Sequence, residues 1–64
     1  MDKALAIIKD RINEKQAQLA AAMSGAAAKD YAEYRAICGE IRGLSIAEGF
    51  ILDLADQMER HDDE

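Results

Sequence analysis

Residues 31–60 read YAEYRAICGEIRGLSIAEGFILDLADQMER, and most of the architecture follows from this stretch. Its apolar residues recur three or four positions apart, the spacing that one face of an α-helix produces. They form a heptad seam of Tyr34, Ile37, Ile41, Leu44, Ile51, Ala55 and Met58. Glu48 is the charged residue that interrupts this seam. Because an unpaired carboxylate is costly to bury, we expect Glu48 at the edge of the seam or beside a base.

The same helix carries a second apolar face. A rotation of about 100° per residue aligns six small or apolar residues away from the heptad seam, and we call them the glycine face. Its members are Ala36, Gly39, Gly43, Ala47, Phe50 and Leu54. A glycine inside a helix costs about 1 kcal/mol relative to alanine. The pair Gly39 and Gly43 therefore indicates that a neighbouring helix or a ligand approaches the backbone closely.

A shorter amphipathic helix is predicted for residues 3–23. Its apolar positions are Leu5, Ile8, Ile12, Leu19 and Ala22. Ser24 and Gly25 follow the last of them and are typical of a helix end. Asp30 is the expected N-cap of the second helix, with Glu33 completing a capping box. The hinge at residues 23–28 permits either a closed hairpin or a swapped pair.

The composition predicts an all-α protein that needs a partner. The 64 residues contain no Pro, Val, Thr or Trp, and Ala supplies 13 of the apolar residues. A chain this short buries only about 60% of its unfolded surface. We therefore expect a two-helix antiparallel hairpin, with helices at about 3–23 and 30–60, that assembles into a helical-bundle homo-oligomer. Residues 1–58 form the predicted domain, and 59–64 an acidic, frayed tail.

The predicted oligomer interface lies on the second helix. At about 1.5 Å per residue this helix reaches roughly 45 Å and the first roughly 30 Å, so part of the second helix is expected to lie uncovered. The uncovered part is expected around residues 50–54. The predicted interface residues are Ile41, Leu44, Ala47, Phe50, Ile51 and Leu54.

Charge and cysteine content indicate which classes of partner and which cellular compartment to expect. The net charge is −5, and the last 14 residues hold six acids and one base. This acidic end disfavours nonspecific binding to nucleic-acid polymers. No apolar run reaches the roughly 18 residues of a membrane span. One cysteine without a partner is typical of a reducing compartment, and we expect the cytosol.

A third stripe of the long helix holds the residues best suited to a ligand. This Tyr-Arg stripe comprises Tyr31, Arg35, Cys38, Arg42, Ser45 and Gly49. Arginine suits bidentate contacts to phosphate, and tyrosine offers a ring for stacking. The predicted ligand-binding residues at subunit junctions are Tyr31, Tyr34, Arg35, Gly39, Arg42 and Gly43. The alternative is that both arginines only form salt bridges, with Asp10, Glu14 or Glu48.

No pattern predicts catalysis, a metal or a cofactor. Cys38 lies in mid-helix without a histidine on its face, as a small filler residue does. His61 has no neighbouring cysteine or histidine, so we expect it to be solvated. The pair Asp53 and Asp56 is typical of a solvated helix surface. We therefore expect a protein that is not an enzyme.

Residues 30–54 resemble small helical proteins encoded by tailed bacteriophages. The resemblance lies in Tyr34, in Gly39-x-Ile41-x-Gly43-Leu44 and in Ala47. It implies a viral origin, a compact helical oligomer and action in the host cytosol, and it implies no catalytic residue.

Three functional hypotheses remain open. The first is an anti-defence accessory protein, a sponge that sequesters an anionic, nucleotide-like signal at subunit junctions. The second is a protein-interaction module, either an inhibitor of a host protein or a virion assembly component. The third is DNA mimicry by the acidic tail.

Overall fold

A computed structural model describes residues 1–24 and 30–62, and their side chains as far as Arg60. Its two helices are α1, Lys3–Ser24, and α2, Tyr31–Asp62. They pack against each other within one chain, which confirms the all-α class and the two-helix prediction. The Cα trace measures 52 × 16 × 12 Å, so the single hairpin is a rod.

Side-chain caps begin both helices. The Glu33 amide donates a hydrogen bond of 2.8 Å to Asp30 Oδ1, which confirms Asp30 as the N-cap of α2. The Ala4 and Leu5 amides both donate to Asp2 Oδ1, at 2.9 and 3.2 Å. Asp2 is thus a second N-cap, one that the sequence interpretation missed. Each cap satisfies amide donors that a helix N-terminus leaves unpaired.

Two contacts between α1 and α2 show how the helices are aligned. Gln16 Nε2 donates a hydrogen bond of 2.9 Å to Ser45 Oγ. The amino group of Met1 forms an ion pair of 3.3 Å with Glu59 Oε1. Residue numbers fall along α1 as they rise along α2, so the helices are antiparallel. This register brings residues of the two helices level when their numbers add to about 60.

The heptad seam joins α1 to α2. Its central positions on α2 are half-buried, and Ala55 is buried. The half-buried set on α2 is Ile37, Cys38, Ile41, Leu44, Ala47, Glu48 and Ile51. Tyr34 and Met58, at the two ends of the predicted seam, are exposed. The seam is therefore confirmed over its middle turns.

The predicted packing face of α1 needs one correction. Ile8 is exposed, although Leu5, Ile12, Leu19 and Ala22 are half-buried as expected. The seam instead contains Lys9 and Gln16, which are half-buried at the heptad spacing between those residues. Their long aliphatic stems cover apolar surface while the polar ends reach its edge.

The expected uncovered length of α2 is also in a different place. At the observed register α1 is level with α2 from about residue 36 to residue 57. The overhanging parts of α2 are therefore its first and last turns. Phe50 and Leu54 are exposed because they lie on another side of α2, and not because α1 is too short to reach them.

The last turns of α2 include part of the predicted tail. The helix continues to Asp62, and residues 63 and 64 lie outside the described residues. Arg60 forms an ion pair of 3.1 Å with Asp56, one helical turn earlier. Glu59 forms the ion pair with the amino group of Met1. The predicted hinge lies mostly in residues 25–29, outside the described residues. Ser24 ends α1, and its hydroxyl donates a hydrogen bond of 3.0 Å to the Ala21 carbonyl.

Candidate interaction surface

A single hairpin leaves most of its apolar side chains in water. Among the described residues only Ala55, at 4% exposure, is buried. The exposed large hydrophobic residues include Ile7, Ile8, Ile46, Phe50, Leu52 and Leu54. Where such residues are contiguous on a small protein, they mark an interaction site.

The glycine face contributes two large side chains to this exposed surface. Phe50 is 69% exposed and Leu54 is 46% exposed. Ile46, also exposed, borders the face and continues the same row, because residues 46, 50 and 54 are spaced by one turn each. Rows at this spacing are the ridges that pack into grooves of a neighbouring helix.

Ile8 extends the glycine face onto α1. It immediately precedes the seam residue Lys9, as Leu54 immediately precedes Ala55. In an antiparallel pair of helices these equivalent positions lie on the same side of the seam. At the observed register Ile8 and Leu54 are also nearly level. The Gln16–Ser45 hydrogen bond lies along the other side of the seam.

The glycines of α2 border open space in the single chain. A Cβ atom built on Gly39, Gly43 or Gly49 meets no side-chain or neighbouring-element atom within 4 Å. Close packing inside the hairpin therefore does not explain their presence. Gly39 and Gly43 lie on the glycine face, whereas Gly49 lies about 120° of helical rotation away from Gly43.

The predicted oligomer-interface residues divide into two groups. Ile41, Leu44 and Ile51 lie in the heptad seam and are half-buried against α1. Phe50 and Leu54 remain exposed, and Ala47 lies half-buried between the two groups. A partner can therefore cover Phe50 and Leu54 without separating α1 from α2.

The start of α2 brings two tyrosines and an arginine together. The rings of Tyr31 and Tyr34 are 6.5 Å apart between centroids and inclined by 19°. The Arg35 guanidinium carbon lies 6.0 Å from the Tyr31 ring centroid, within reach of a cation–π attraction. Tyr31 and Arg35 already interact with each other, and both remain exposed to a ligand.

The six predicted ligand-binding residues do not lie on one surface of a single chain. Arg42 follows Arg35 by two turns, about 10 Å along the helix axis. Gly43 follows Tyr34 by nine residues, which places the two on opposite sides of α2. Gly39 and Gly43 belong to the glycine face. A site that uses all six residues requires contributions from more than one chain.

The salt-bridge alternative for the arginines is not seen within one chain. The ion pairs among the described side chains are Met1–Glu59 and Arg60–Asp56. None of those described joins Arg35 or Arg42 to Asp10, Glu14 or Glu48. Glu48 is half-buried in the seam, and Lys9, about one turn away in the register, is the half-buried base nearest to it.

Other kinds of site find little support in the part of the chain that the structure describes. No group of three metal-ligating side chains occurs there. Neither α1 nor α2, as described, combines the length and hydrophobicity that crossing a membrane requires. Cys38 is half-buried, as a filler residue is. The side chain of His61 lies outside the description.

Comparisons with protein-family models, with curated proteins and with solved structures found no match.

Proposed function

We propose that this protein is a non-enzymatic interaction module whose binding surface is the glycine face. The observation that carries the proposal is the exposure of Phe50, at 69%, in a hairpin with one buried residue among those described. Burying a phenylalanine side chain contributes about 1.5–3 kcal/mol. An isolated chain does not gain this free energy. It is gained when a partner covers the glycine face.

The resemblance to tailed-phage proteins supports a particular setting for this module. It favours a viral accessory or assembly protein that acts in the cytosol of a bacterial host. The partner is then a host protein that is inhibited, a virion component, or another copy of the chain. The aliphatic and aromatic character of the face favours a protein partner. A nucleic-acid polymer would instead need Lys and Arg side chains to neutralise its phosphates.

Photo-crosslinking tests this function without knowledge of the partner. Benzoyl-phenylalanine replaces Phe50 in one variant and Leu52 in the other, and each variant is produced in the protein's natural cellular setting. Residues 50 and 52 lie about 160° apart around α2. We expect a discrete adduct from position 50 that position 52 does not give. Equal adducts from both positions, or none from position 50, would contradict the proposal.

A second function, sequestration of an anionic nucleotide-like ligand, is favoured by the tyrosine–arginine cluster. Tyr31 and Tyr34 present exposed, stacked rings, and no described ion pair engages the guanidinium of Arg35 or Arg42. Rings suit a base, and guanidinium groups suit phosphate. Because Gly39 and Gly43 lie on another side of α2, such a ligand would be held where two chains meet.

The double variant Arg35→Ala/Arg42→Ala tests this second function. Wild-type protein is titrated with a panel of cyclic dinucleotides and ADP-ribose derivatives by isothermal calorimetry. If the function holds, the double variant loses at least about tenfold in affinity for the bound compound, because two charge-assisted contacts are removed. Lys15→Ala, on α1, is the control for general loss of positive charge. No binding by wild type, or unchanged affinity in the variant, would contradict it.

A further inference from the structure

We propose that a second copy of this chain covers the glycine face, so that two hairpins form a two-fold symmetric four-helix bundle. This inference rests on the proposed interaction function and names its partner. It also fixes the register of the contact: Phe50 and Leu54 of one copy fill the open space above Gly43 and Gly39 of the other.

The surface area of the hairpin leaves room for an interface of ordinary size. The chain exposes 4968 Å². A compact monomer of the same mass, 7.0 kDa, exposes about 4,000 Å². The excess is roughly 900 Å², and a stable protein–protein interface buries about 800 Å² on each partner. The excess is thus similar in size to the area that one such interface would bury.

The pattern of residue sizes along the glycine face is self-complementary. Its N-terminal half carries Gly39 and Gly43, where a Cβ atom meets open space. Its C-terminal half carries the exposed side chains of Phe50 and Leu54. A bulky half and an open half on one surface satisfy the self-complementarity that a two-fold contact between identical faces requires.

The spacing of these residues determines the symmetry centre. An antiparallel α2–α2 contact centred between Ile46 and Ala47 pairs position 50 with position 43 of the partner, since both lie three to four residues from the centre. The same centre pairs position 54 with position 39. The two large side chains are thus in register with the two glycines. This agreement supports an antiparallel contact in which each copy supplies two knobs and two holes.

Charge is compatible with a second copy. None of the six residues of the glycine face is charged. Identical surfaces that carry charge repel each other when they meet; the six residues at the centre of this face carry none, and the acids Glu40 and Asp53 lie at its edges. The excess acid is concentrated in the last 14 residues. In an antiparallel contact the ends of α2 lie at opposite ends of the bundle, so these acidic segments are kept apart.

Folding also favours a partner that is always present. Among the described residues Ala55 is the only one that is buried, so one hairpin has little core of its own. A second copy is available wherever the chain is made, and obligate dimers commonly have no stable folded monomer.

Native mass spectrometry of the purified full chain tests the dimer, with the variants Leu54→Glu and Leu52→Glu. These two leucines are matched: they are 46% and 42% exposed in the hairpin and lie on different sides of α2. For wild type we expect a species of twice the chain mass of 7.0 kDa. Leu52→Glu keeps this dimer, and Leu54→Glu weakens its association at least about tenfold, as the loss of one buried leucine per copy requires.

Two results would overturn the inference. One is a folded wild-type monomer throughout the accessible concentration range. The other is equal dissociation of the dimer by Leu52→Glu and Leu54→Glu. If wild type is monomeric while benzoyl-phenylalanine at position 50 captures a different protein in cells, the second-copy inference fails and the proposed function stands. If position 50 also captures nothing, both fail.

Discussion

The substitution Phe50→Glu is expected to separate the two copies and to destabilise the whole protein. In the dimer each Phe50 side chain is removed from water, which contributes about 1.5–3 kcal/mol per copy. The loss for two copies is about 3–6 kcal/mol, or roughly a hundredfold or more in the dissociation constant. If Phe50 stays in solvent, a surface substitution changes stability by less than about 0.5 kcal/mol. The two accounts therefore differ by several kcal/mol at one residue.

Tyr31→Glu is the control for Phe50→Glu, because the two aromatic side chains are similarly exposed in the hairpin. Tyr31 is an aromatic residue of α2, 72% exposed, and it lies off the glycine face. A glutamate in the first turn of a helix interacts favourably with the helix dipole, so we expect a change of less than about 0.5 kcal/mol. Urea unfolding followed by circular dichroism at a fixed protein concentration measures both variants. Equal small effects of the two substitutions would show that Phe50 is not covered.

Exchanging the knob and the hole is expected to weaken association in each single variant and to restore part of it in the double variant. Gly43→Phe places a ring where Phe50 of the second copy is proposed to insert, and overpacking of this kind costs about 1–3 kcal/mol per site. Phe50→Ala removes the knob and loses its burial. In the double variant Gly43→Phe/Phe50→Ala, the ring introduced at position 43 of each copy faces the space vacated at position 50 of the other. Part of the lost association therefore returns.

Sedimentation equilibrium of the two single variants and the double variant measures this coupling. We expect the double variant to dimerise more tightly than either single one, with a coupling energy of about 1–3 kcal/mol. Gly49→Phe is the control, because Gly49 also borders open space but lies off the glycine face. It should leave the dimer intact. Additive losses in the double variant would contradict the proposed register of the contact, and dissociation by Gly49→Phe would contradict its location.

Local signals in the sequence predicted most of the fold. The heptad spacing predicted both helices to within two residues of their observed ends. Asp30 was recognisable as an N-cap because a short acidic side chain precedes the periodic segment. Asp2 has the same property and was missed, since it stands beside the chain end instead of following a turn. The all-α class followed from composition, which provides almost no strand-forming residues.

The side-chain environment of α1 was less accessible from sequence. A hydrophobicity pattern assigns Ile8 to the seam and Lys9 to solvent, yet the structure exposes Ile8 and half-buries Lys9. The heptad register of α1 depends on which residues α2 presents opposite it, and the pattern of one helix does not contain that information. The Gln16–Ser45 hydrogen bond links residues 29 positions apart and is a long-range contact of the same kind.

The positions of the candidate site residues around α2 could be predicted, but not whether they form a site. The glycine face followed directly from helical rotation, and its exposure in the structure agrees with a surface that awaits a partner. The six predicted ligand residues were chosen partly by type, and rotation about α2 separates Tyr34 from Gly43. Whether a second chain reunites them depends on assembly geometry, which one chain does not specify.

The dependence of thermal unfolding on protein concentration tests whether the folded unit is an assembly through the glycine face and not a lone hairpin. Circular dichroism of the wild-type chain is recorded over roughly a hundredfold range of concentration. Folding coupled to association predicts a midpoint that rises steadily with concentration. A midpoint independent of concentration, in a species of 7.0 kDa, would contradict the account.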